Sequence, residues 1–182
     1  NRWAARRLLS RLSENCLTAV RSRFAIALGS NRRHVRFGSP EAIIRAALTR
    51  LDRKKVHVIA ASRTVRSRPL GPSRRTYANA AALIETRFEP HRLLKRLKKI
   101  EREFGRRPGG SRWSARTLDL DILLWSRGSW ASQGLVVPHR EFRKRSFVLD
   151  PLATIAGEWR DPLSGFTVRQ LKARLDRKRP AA

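Results

Sequence analysis

The sequence predicts one α+β domain in which helices pack on an antiparallel β-sheet. The chain has 182 residues, 41% of them hydrophobic, which is enough for a single domain with a hydrophobic core. Short apolar runs rich in β-branched residues alternate with stretches whose apolar residues recur every three to four positions. The first pattern is typical of buried strands and the second of amphipathic helices.

The first half of the chain predicts a strand, a helix and a second strand. Residues 24–28 are an apolar run that ends at a Gly-Ser-Asn turn. Residues 40–53 predict a helix, because Pro40 suits a first helical turn and apolar residues recur on one face. Residues 56–65 alternate and are rich in β-branched residues, which indicates the second strand.

The middle of the chain predicts a strand, a helix and a further strand. Residues 66–76 contain two prolines and a glycine and predict a loop. Residues 77–86 read as a strand, and residues 90–103 as a helix with Leu93, Leu94, Leu97 and Ile100 on one side. A flexible basic loop at 105–111 precedes the strand at 118–125.

The order of these elements is β-α-β-β-α-β. A small hairpin at 130–137 and short helices at 147–156 and 167–175 form a C-terminal extension. This order is that of the ferredoxin-like α/β sandwich. We therefore expect a folded domain at 24–175, a basic tail at 176–182, and an Arg-rich leader or amphipathic extension at 1–23. Few acids and many arginines are also typical of a transit peptide, so the role of 1–23 stays open.

The charge balance is strongly basic. The chain has 42 Lys and Arg against 14 Asp and Glu, a net charge of +28. A field of this sign attracts nucleotides, nucleic acids and other anions. Nonspecific nucleic-acid binding is therefore expected whatever the function. One cysteine excludes an internal disulfide and a Cys-rich zinc site, and no apolar run approaches the length of about 20 residues that spans a membrane.

Two carboxylates in the fourth large strand are the sharpest local signal. Asp119 and Asp121 stand at i and i+2 and therefore share one face, while Leu118, Leu120 and Ile122 point to the core. Adjacent carboxylates repel each other, and hard oxygen ligands of this kind suit Mg²⁺. The alternative is a solvated strand face paired with nearby arginines.

The surroundings of the pair favour phosphoryl-transfer chemistry. Arg106, Arg112 and Arg116 precede it, and His139 and Arg145 follow it. Fixed cations with a divalent ion are typical of sites where catalysis is mainly positioning and charge stabilisation. Neither a Walker A sequence nor a Rossmann glycine fingerprint is present. A nucleotide would therefore be held by side chains and metal.

Several short blocks then occur in an order and spacing that are together highly specific. They are Ala27-Leu28-Gly29-Ser30-Asn31, Pro69-Leu70-Gly71-Pro72, Tyr77-Ala78-Asn79, Arg116-Thr117-Leu118-Asp119-Leu120-Asp121 and Val137-Pro138-His139. From residue 24 to about 175 the chain resembles the 6-hydroxymethyl-7,8-dihydropterin pyrophosphokinases of folate biosynthesis. The resemblance implies a ferredoxin-like fold and transfer of pyrophosphate from ATP to the pterin hydroxymethyl group, with release of AMP.

The resemblance also implies roles for the polar residues. Two Mg²⁺ ions would be held by Asp119 and Asp121, and ATP is the co-substrate. Arg106 and Arg116 match arginines that close over the triphosphate, and with the two aspartates they form the expected catalytic set. The remaining ATP-binding residues implied are Glu101, Trp113, Ile122, Leu135, Val136, His139 and Arg145.

The implied pterin site is built from different residues. Tyr77 and Phe147 would stack on the two faces of the ring, although both could equally be ordinary core aromatics. Asn79 carries a donor and an acceptor and would read the pterin edge together with Ser67 and the backbone near Leu70.

The altered loop at 107–110 and a positive charge far above what is expected for the family keep alternatives open. Ser114 stands where Gly or Ala is common, and the loop at 107–110 has glycines where a further basic residue is common. One alternative is a catalytically weak relative of the family. The other is a basic nucleic-acid-binding module; such a module would carry aromatic residues on its sheet within specific motifs, and this chain lacks those motifs. For the enzyme we expect a cytoplasmic monomer with no membrane and no specific nucleic-acid partner.

Overall fold

A computed structural model describes residues 20–53, 55–68, 76–105 and 117–177. The strands are β1 (Ser22–Ser30), β2 (Val56–Ala61), β3 (Val65–Ser67), β4 (Tyr77–Thr86), β5 (Asp119–Trp125), β6 (Trp130–Ser132) and β7 (Leu135–Val137). The helices are α1 (Pro40–Leu51), α2 (Pro90–Glu103), α3 (Ser146–Ala156), α4 (Val168–Arg177) and a short 3-10 helix (Phe142–Lys144).

The main sheet is antiparallel, with the strand order β2-β4-β1-β5. Strand β3 pairs with β4 beyond the end of β2, and β6 and β7 form a separate hairpin. Strand β1, the first apolar run of the sequence, is therefore central and is paired on both sides. The predicted α+β class with an antiparallel sheet is confirmed.

The two faces of the sheet are covered differently. Helices α1 and α2 cover one face over a core that includes Phe24, Ile26 and Leu28 of β1. Helices α3 and α4 cover the other face, where Ala25 is fully buried. Further along that second face, Ala27 and Gly29 are only half-buried. The second face is thus closed at one end and accessible at the other.

Ser62 divides the predicted strand at 56–65 into β2 and β3. Its backbone N–H donates to the carbonyl of Ala81 (2.9 Å), and its hydroxyl accepts a bond from the N–H of Ala81 (2.9 Å) and donates to the carbonyl of Arg63. The side chain thus takes over a hydrogen bond of the strand ladder, and the chain turns before β3 begins.

The ends of the domain differ slightly from the expectation. Strand β1 begins at Ser22 because Ser22 and Arg23 pair with Thr86 and Glu85 of β4. The last two residues of the predicted 1–23 extension therefore belong to the sheet, whereas residues 1–19 lie outside the described part of the chain. Among the described residues, no helix combines the length and the apolar character needed to cross a membrane.

Candidate active site

The two aspartates of β5 lie on the accessible face of the sheet. Asp119 is paired with Gly29 and Asp121 with Ala27 of β1, and both aspartates are half-buried. Leu120, between them, is fully buried on the opposite face, in the core beneath α1 and α2. The prediction that the carboxylates share a face opposite the core residues is confirmed. The small residues beside them leave that face open.

The electrostatics of the pair favour a bound cation. Burial raises the pKa of Asp121, and the neighbouring charge of Asp119 raises this pKa further. His139, Lys98 and Arg145 act in the opposite direction, so three cationic or titratable side chains face the same carboxyl group. Within the described ranges, no three His, Cys, Asp or Glu side chains converge on one point. Two carboxylates with water and phosphate oxygens nevertheless form a donor set that fits Mg²⁺.

Glu101 of α2 holds the strand between the two aspartates. Its side chain is fully buried, and Oε1 accepts hydrogen bonds from the N–H of Leu120 (2.8 Å) and from Nζ of Lys98 (2.9 Å). The buried carboxylate therefore fixes the backbone of β5 against α2. Its predicted contact with a nucleotide stays a prediction.

His139 is fixed beside β5 by its backbone and its ring. Its N–H donates to the carbonyl of Leu123 (3.0 Å), and Nδ1 accepts a bond from the N–H of Glu141 (3.2 Å). A ring nitrogen that accepts a hydrogen bond carries no proton, so the neutral ring has its proton on Nε2. With a neutral ring, His139 therefore offers a hydrogen-bond donor at Nε2.

Arg145 lies at the start of α3 next to an aromatic ring. Its carbonyl accepts bonds from the N–H groups of Val148 (3.0 Å) and Leu149 (2.9 Å), which fixes its backbone in the first turn of α3. Its guanidinium carbon is 6.0 Å from the ring centroid of Phe147. A predicted phosphate ligand and a predicted ring-stacking residue are thus adjacent.

Asn79 and Ser67 are brought together by the pairing of β3 with β4. Nδ2 of Asn79 donates to Oγ of Ser67 (2.9 Å), and Asn79 is only 5% exposed. Ser67 itself is paired with Tyr77. Three of the residues predicted for the pterin site therefore lie within one small patch of sheet.

Gly29 connects this patch with the aspartates. It is paired with Asn79 on one side and with Asp119 on the other. With strands about 4.8 Å apart, Asn79 and Asp119 are separated by about 10 Å across a residue that has no side chain. We refer to this row, which has an amide on one side of Gly29 and carboxylates on the other, as the cleft.

A family model described as 7,8-dihydro-6-hydroxymethylpterin-pyrophosphokinase (HPPK) matches residues 25–157 of the chain. The matched range includes the aspartates, Asn79, His139 and Arg145.

The chain belongs to the HPPK family.

Curated relatives agree with this family membership. The 2-amino-4-hydroxy-6-hydroxymethyldihydropteridine pyrophosphokinase of Haemophilus influenzae is 38% identical over 155 residues, which are 84% of this chain and 93% of that protein. The protein of the same name from Pseudomonas aeruginosa is 39% identical over 142 residues, 77% of this chain and 84% of its own length. The alignment therefore spans nearly the whole length of the first of these relatives and most of the second.

Solved structures support the fold. The wild-type HPPK-DHPS of Plasmodium falciparum superposes with a TM-score of 0.69 over 87% of this chain, at 12% sequence identity. The superposition covers 42% of the Plasmodium chain. The likeness shows that this HPPK chain shares its fold with part of that protein.

The remaining predicted HPPK residues fall into two groups. The side chain of Ile122 is 2% exposed and lies in the core beneath α1 and α2. Leu135 and Val136 of β7 are half-buried, and Leu135 packs against the same core. Four predicted residues lie outside the described part of the chain, namely Leu70, Arg106, Trp113 and Arg116.

Gly29 and Lys98 are additions to the site that the sequence prediction did not assign. Gly29 was part of a matched block without a role of its own. A glycine inside a strand often marks a close approach of a ligand or another backbone, and that signal was available. Lys98 lies on a helix with many exposed bases, and only the fold reveals that it faces β5.

Proposed function

We propose that this chain transfers the pyrophosphoryl group of ATP to the hydroxymethyl group of 6-hydroxymethyl-7,8-dihydropterin in folate biosynthesis. The family match over residues 25–157 carries this proposal. In the reaction, the pterin hydroxyl oxygen bonds to the β-phosphorus of ATP. The bond from that phosphorus to the oxygen bridging to the α-phosphorus breaks, and the products are the pterin diphosphate and AMP.

Asp119 and Asp121 are the proposed ligands of two Mg²⁺ ions. Their side-by-side placement and the raised pKa of Asp121 support this assignment, because bound cations would relieve the repulsion. When bound, Mg²⁺ would lower the negative charge of the triphosphate that faces the attacking hydroxyl. Glu101 would keep the two carboxylates in register by holding Leu120.

The triphosphate would be bound on the side of β5 that carries the cations. His139 would donate from Nε2, and Arg145 would offer its guanidinium to a phosphate. Arg106 and Arg116 are proposed to stabilise the transferring group, with Trp113 packing beside the nucleotide. Leu135, Val136 and the backbone at Ile122 are proposed to border the adenine.

The pterin would occupy the other end of the cleft. Asn79 and Ser67 would together recognise the polar edge of the ring. The Ser67 hydroxyl already accepts a hydrogen bond from the side-chain amide of Asn79. The backbone at Leu70 would complete that edge, and Tyr77 and Phe147 would stack on the ring faces. The half-buried Gly29 would leave the hydroxymethyl group room to approach the phosphates.

The test is AMP release from ATP, with and without 6-hydroxymethyl-7,8-dihydropterin, at several Mg²⁺ concentrations. We expect release that needs both the pterin and Mg²⁺, and its loss in Asp119→Ala and Asp121→Ala. Asp176→Ala, an exposed carboxylate on α4, is the matched control and should keep the wild-type rate. A folded wild type that releases no AMP would support the catalytically weak relative instead, and aspartate variants with wild-type rates would refute the metal assignment.

We further propose the finer features of the molecule. The strand order, with β2 and β3 taken as one interrupted strand, supports the ferredoxin-like βαββαβ topology. The catalytic domain would span 24–175, preceded by the basic extension at 1–23 and followed by the tail at 176–182. The enzyme would act as a cytoplasmic monomer whose partners are ATP and the pterin, with no specific nucleic acid.

A further inference from the structure

An ion pair between a half-buried arginine and a fully buried aspartate lies next to the residues proposed to bind phosphate. Asp161 is fully buried, in the turn that precedes α4. Its carboxylate accepts two hydrogen bonds from Arg143, one from Nε (2.7 Å) and one from Nη2 (2.6 Å). Arrangements of this bidentate kind fix the orientation of both partners as well as their distance.

The aspartate is itself fixed within its turn. It accepts further bonds from the N–H of Leu163 (3.2 Å) and from the hydroxyl of Ser164. Its backbone N–H donates to the carbonyl of Phe166 (2.9 Å), and its carbonyl accepts from the N–H of Gly165 (2.8 Å). Asp161 is therefore a rigid anchor, and Arg143 is the partner that reaches it from another part of the chain.

Arg143 belongs to the short segment that carries both proposed phosphate ligands. It lies in the 3-10 helix between His139 and Arg145, four residues after the first and two before the second. The guanidinium carbon of Arg143 lies 4.8 Å from the ring centroid of Phe142, which is fully buried in the core beneath α3. The backbone N–H of Phe142 donates a hydrogen bond to the carbonyl of His139 (3.2 Å). The backbone N–H of Arg145 donates one to the carbonyl of Phe142 (3.4 Å). A shift of the 3-10 helix would thus reach both ligands through the two backbone hydrogen bonds of Phe142.

We propose that Asp161 is a positioning residue for the transfer reaction, holding through Arg143 the turn that presents His139 and Arg145 to the triphosphate. This inference rests on the proposed function, because it needs His139 and Arg145 to bind ATP. Asp161 contacts neither reacting group and is not a catalytic residue. Without the Asp161 carboxylate, the half-buried guanidinium of Arg143 loses its charged partner and can turn toward water, so the turn that carries it would no longer be held in place.

The first test compares Asp161→Asn with the wild type in steady-state AMP release. We expect the KM for ATP to rise and kcat to fall by about tenfold each, as for other residues that orient a ligand from behind. The KM for the pterin should rise less than the KM for ATP. Of the described residues proposed to bind the pterin, only Phe147 lies next to this turn, whereas Ser67, Tyr77 and Asn79 lie on β3 and β4. Arg143→Lys keeps the charge but loses the two-pronged geometry, and we expect an intermediate effect. The double variant should be no worse than Asp161→Asn, since both changes break the same contact.

Stability is separated from positioning by a matched control. Lys172 of α4 bridges Asp150 (3.3 Å) and Asp176 (2.6 Å) and ties α4 to α3 through two acids that lie outside the 139–145 segment. Lys172→Gln should lower the melting temperature and leave all kinetic constants unchanged at temperatures where it is folded. The same assay on His139→Ala and Arg145→Ala tests the function on which the inference rests.

The outcomes distinguish the two ideas. If His139→Ala and Arg145→Ala raise the KM for ATP but Asp161→Asn only lowers the melting temperature, the positioning role is refuted and the proposed function stands. If the wild type is active and neither ligand variant changes the KM for ATP, the assignment of the phosphate ligands fails, and the inference fails with it. A selective rise in the KM for ATP in Asp161→Asn, absent in Lys172→Gln, supports the role.

Discussion

Gly29→Ala separates stability from activity at the centre of the cleft. The backbone of Gly29 lies outside the left-handed region, so alanine can adopt it without strain. A Cβ at this position would lie 3.6 Å from Oδ1 of Asn79, which is an ordinary van der Waals distance. Asn79 therefore has no need to move, and the added methyl group projects only into the space between Asn79 and Asp119.

The two expected effects have opposite signs. Replacing glycine by alanine within a strand raises the free energy of unfolding by about 0.5–1 kcal/mol. In a domain of this size, that gain corresponds to a rise of about 1–4 °C in the melting temperature. A substrate displaced by about 1 Å in the same cleft loses up to about 100-fold in rate. We therefore expect a variant that is at least as stable as the wild type and about 10- to 100-fold less active.

The assay is AMP release together with thermal unfolding followed by circular dichroism. Ala61→Val is the control, because it adds volume at an exposed position of β2, outside the Asn79–Asp119 row. It should leave the rate unchanged. If kcat/KM of Gly29→Ala equals that of the wild type, the substrate does not approach this strand and the placement of the cleft is wrong. A large drop in melting temperature would instead refute the packing argument.

Three further predictions concern the carboxylates. In the absence of Mg²⁺ at neutral pH, Asp121→Asn should melt at a higher temperature than the wild type. Burial and the charge of Asp119 raise the pKa of Asp121, so the folded state disfavours its charged form, and the uncharged asparagine removes this cost. An equal or lower melting temperature would contradict this reasoning. Glu101→Ala should lower the free energy of unfolding by about 1–3 kcal/mol in urea titrations, because the N–H of Leu120 loses its acceptor, whereas Glu101→Gln keeps an acceptor and should lose less. Burial raises the pKa of Asp161, but the hydrogen bonds from Arg143 and from its own turn outweigh this and hold the pKa below the usual range of an aspartate. Its contribution to stability is therefore present at and above that range and is lost as the pH falls through the lowered pKa, so Asp161→Asn should lose less stability than the wild type on acidification, measured by the same titration.

The strands and helices were largely predictable because their apolar patterns are regular. Helix α2 was predicted at its observed bounds, since Pro90 opens it and a clear stripe of leucines follows. The break at Ser62 was not predictable, because it depends on a side chain replacing a ladder bond with β4, and a serine in an alternating run gives no such signal. Whether a strand continues is decided by its neighbour as much as by its own residues.

The sequence predicted the chemical groups of the candidate site better than the buried contacts that hold them in place. The i, i+2 spacing of Asp119 and Asp121 dictates a shared face, which the sequence reveals directly. The burial of Glu101 was missed, since a glutamate on a basic helix reads as solvated. Its position four residues after Leu97, on the apolar stripe, was the available signal. The contact of Asn79 with Ser67 depends on the register between two strands, which spacing along the chain does not determine.

The unequal covering of the two sheet faces has a consequence for how such a protein can change over time. The face beneath α1 and α2 is a continuous core, and substitutions there act first on folding yield. On the other face, β1 carries the buried Ala25 and then the half-buried Ala27 and Gly29. In the proposed site, substitutions at these last two positions would act first on the binding of the ligand. One strand thus faces selection for stability on one side and for specificity on the other. The two properties can be engineered in alternate residues of the same nine-residue segment.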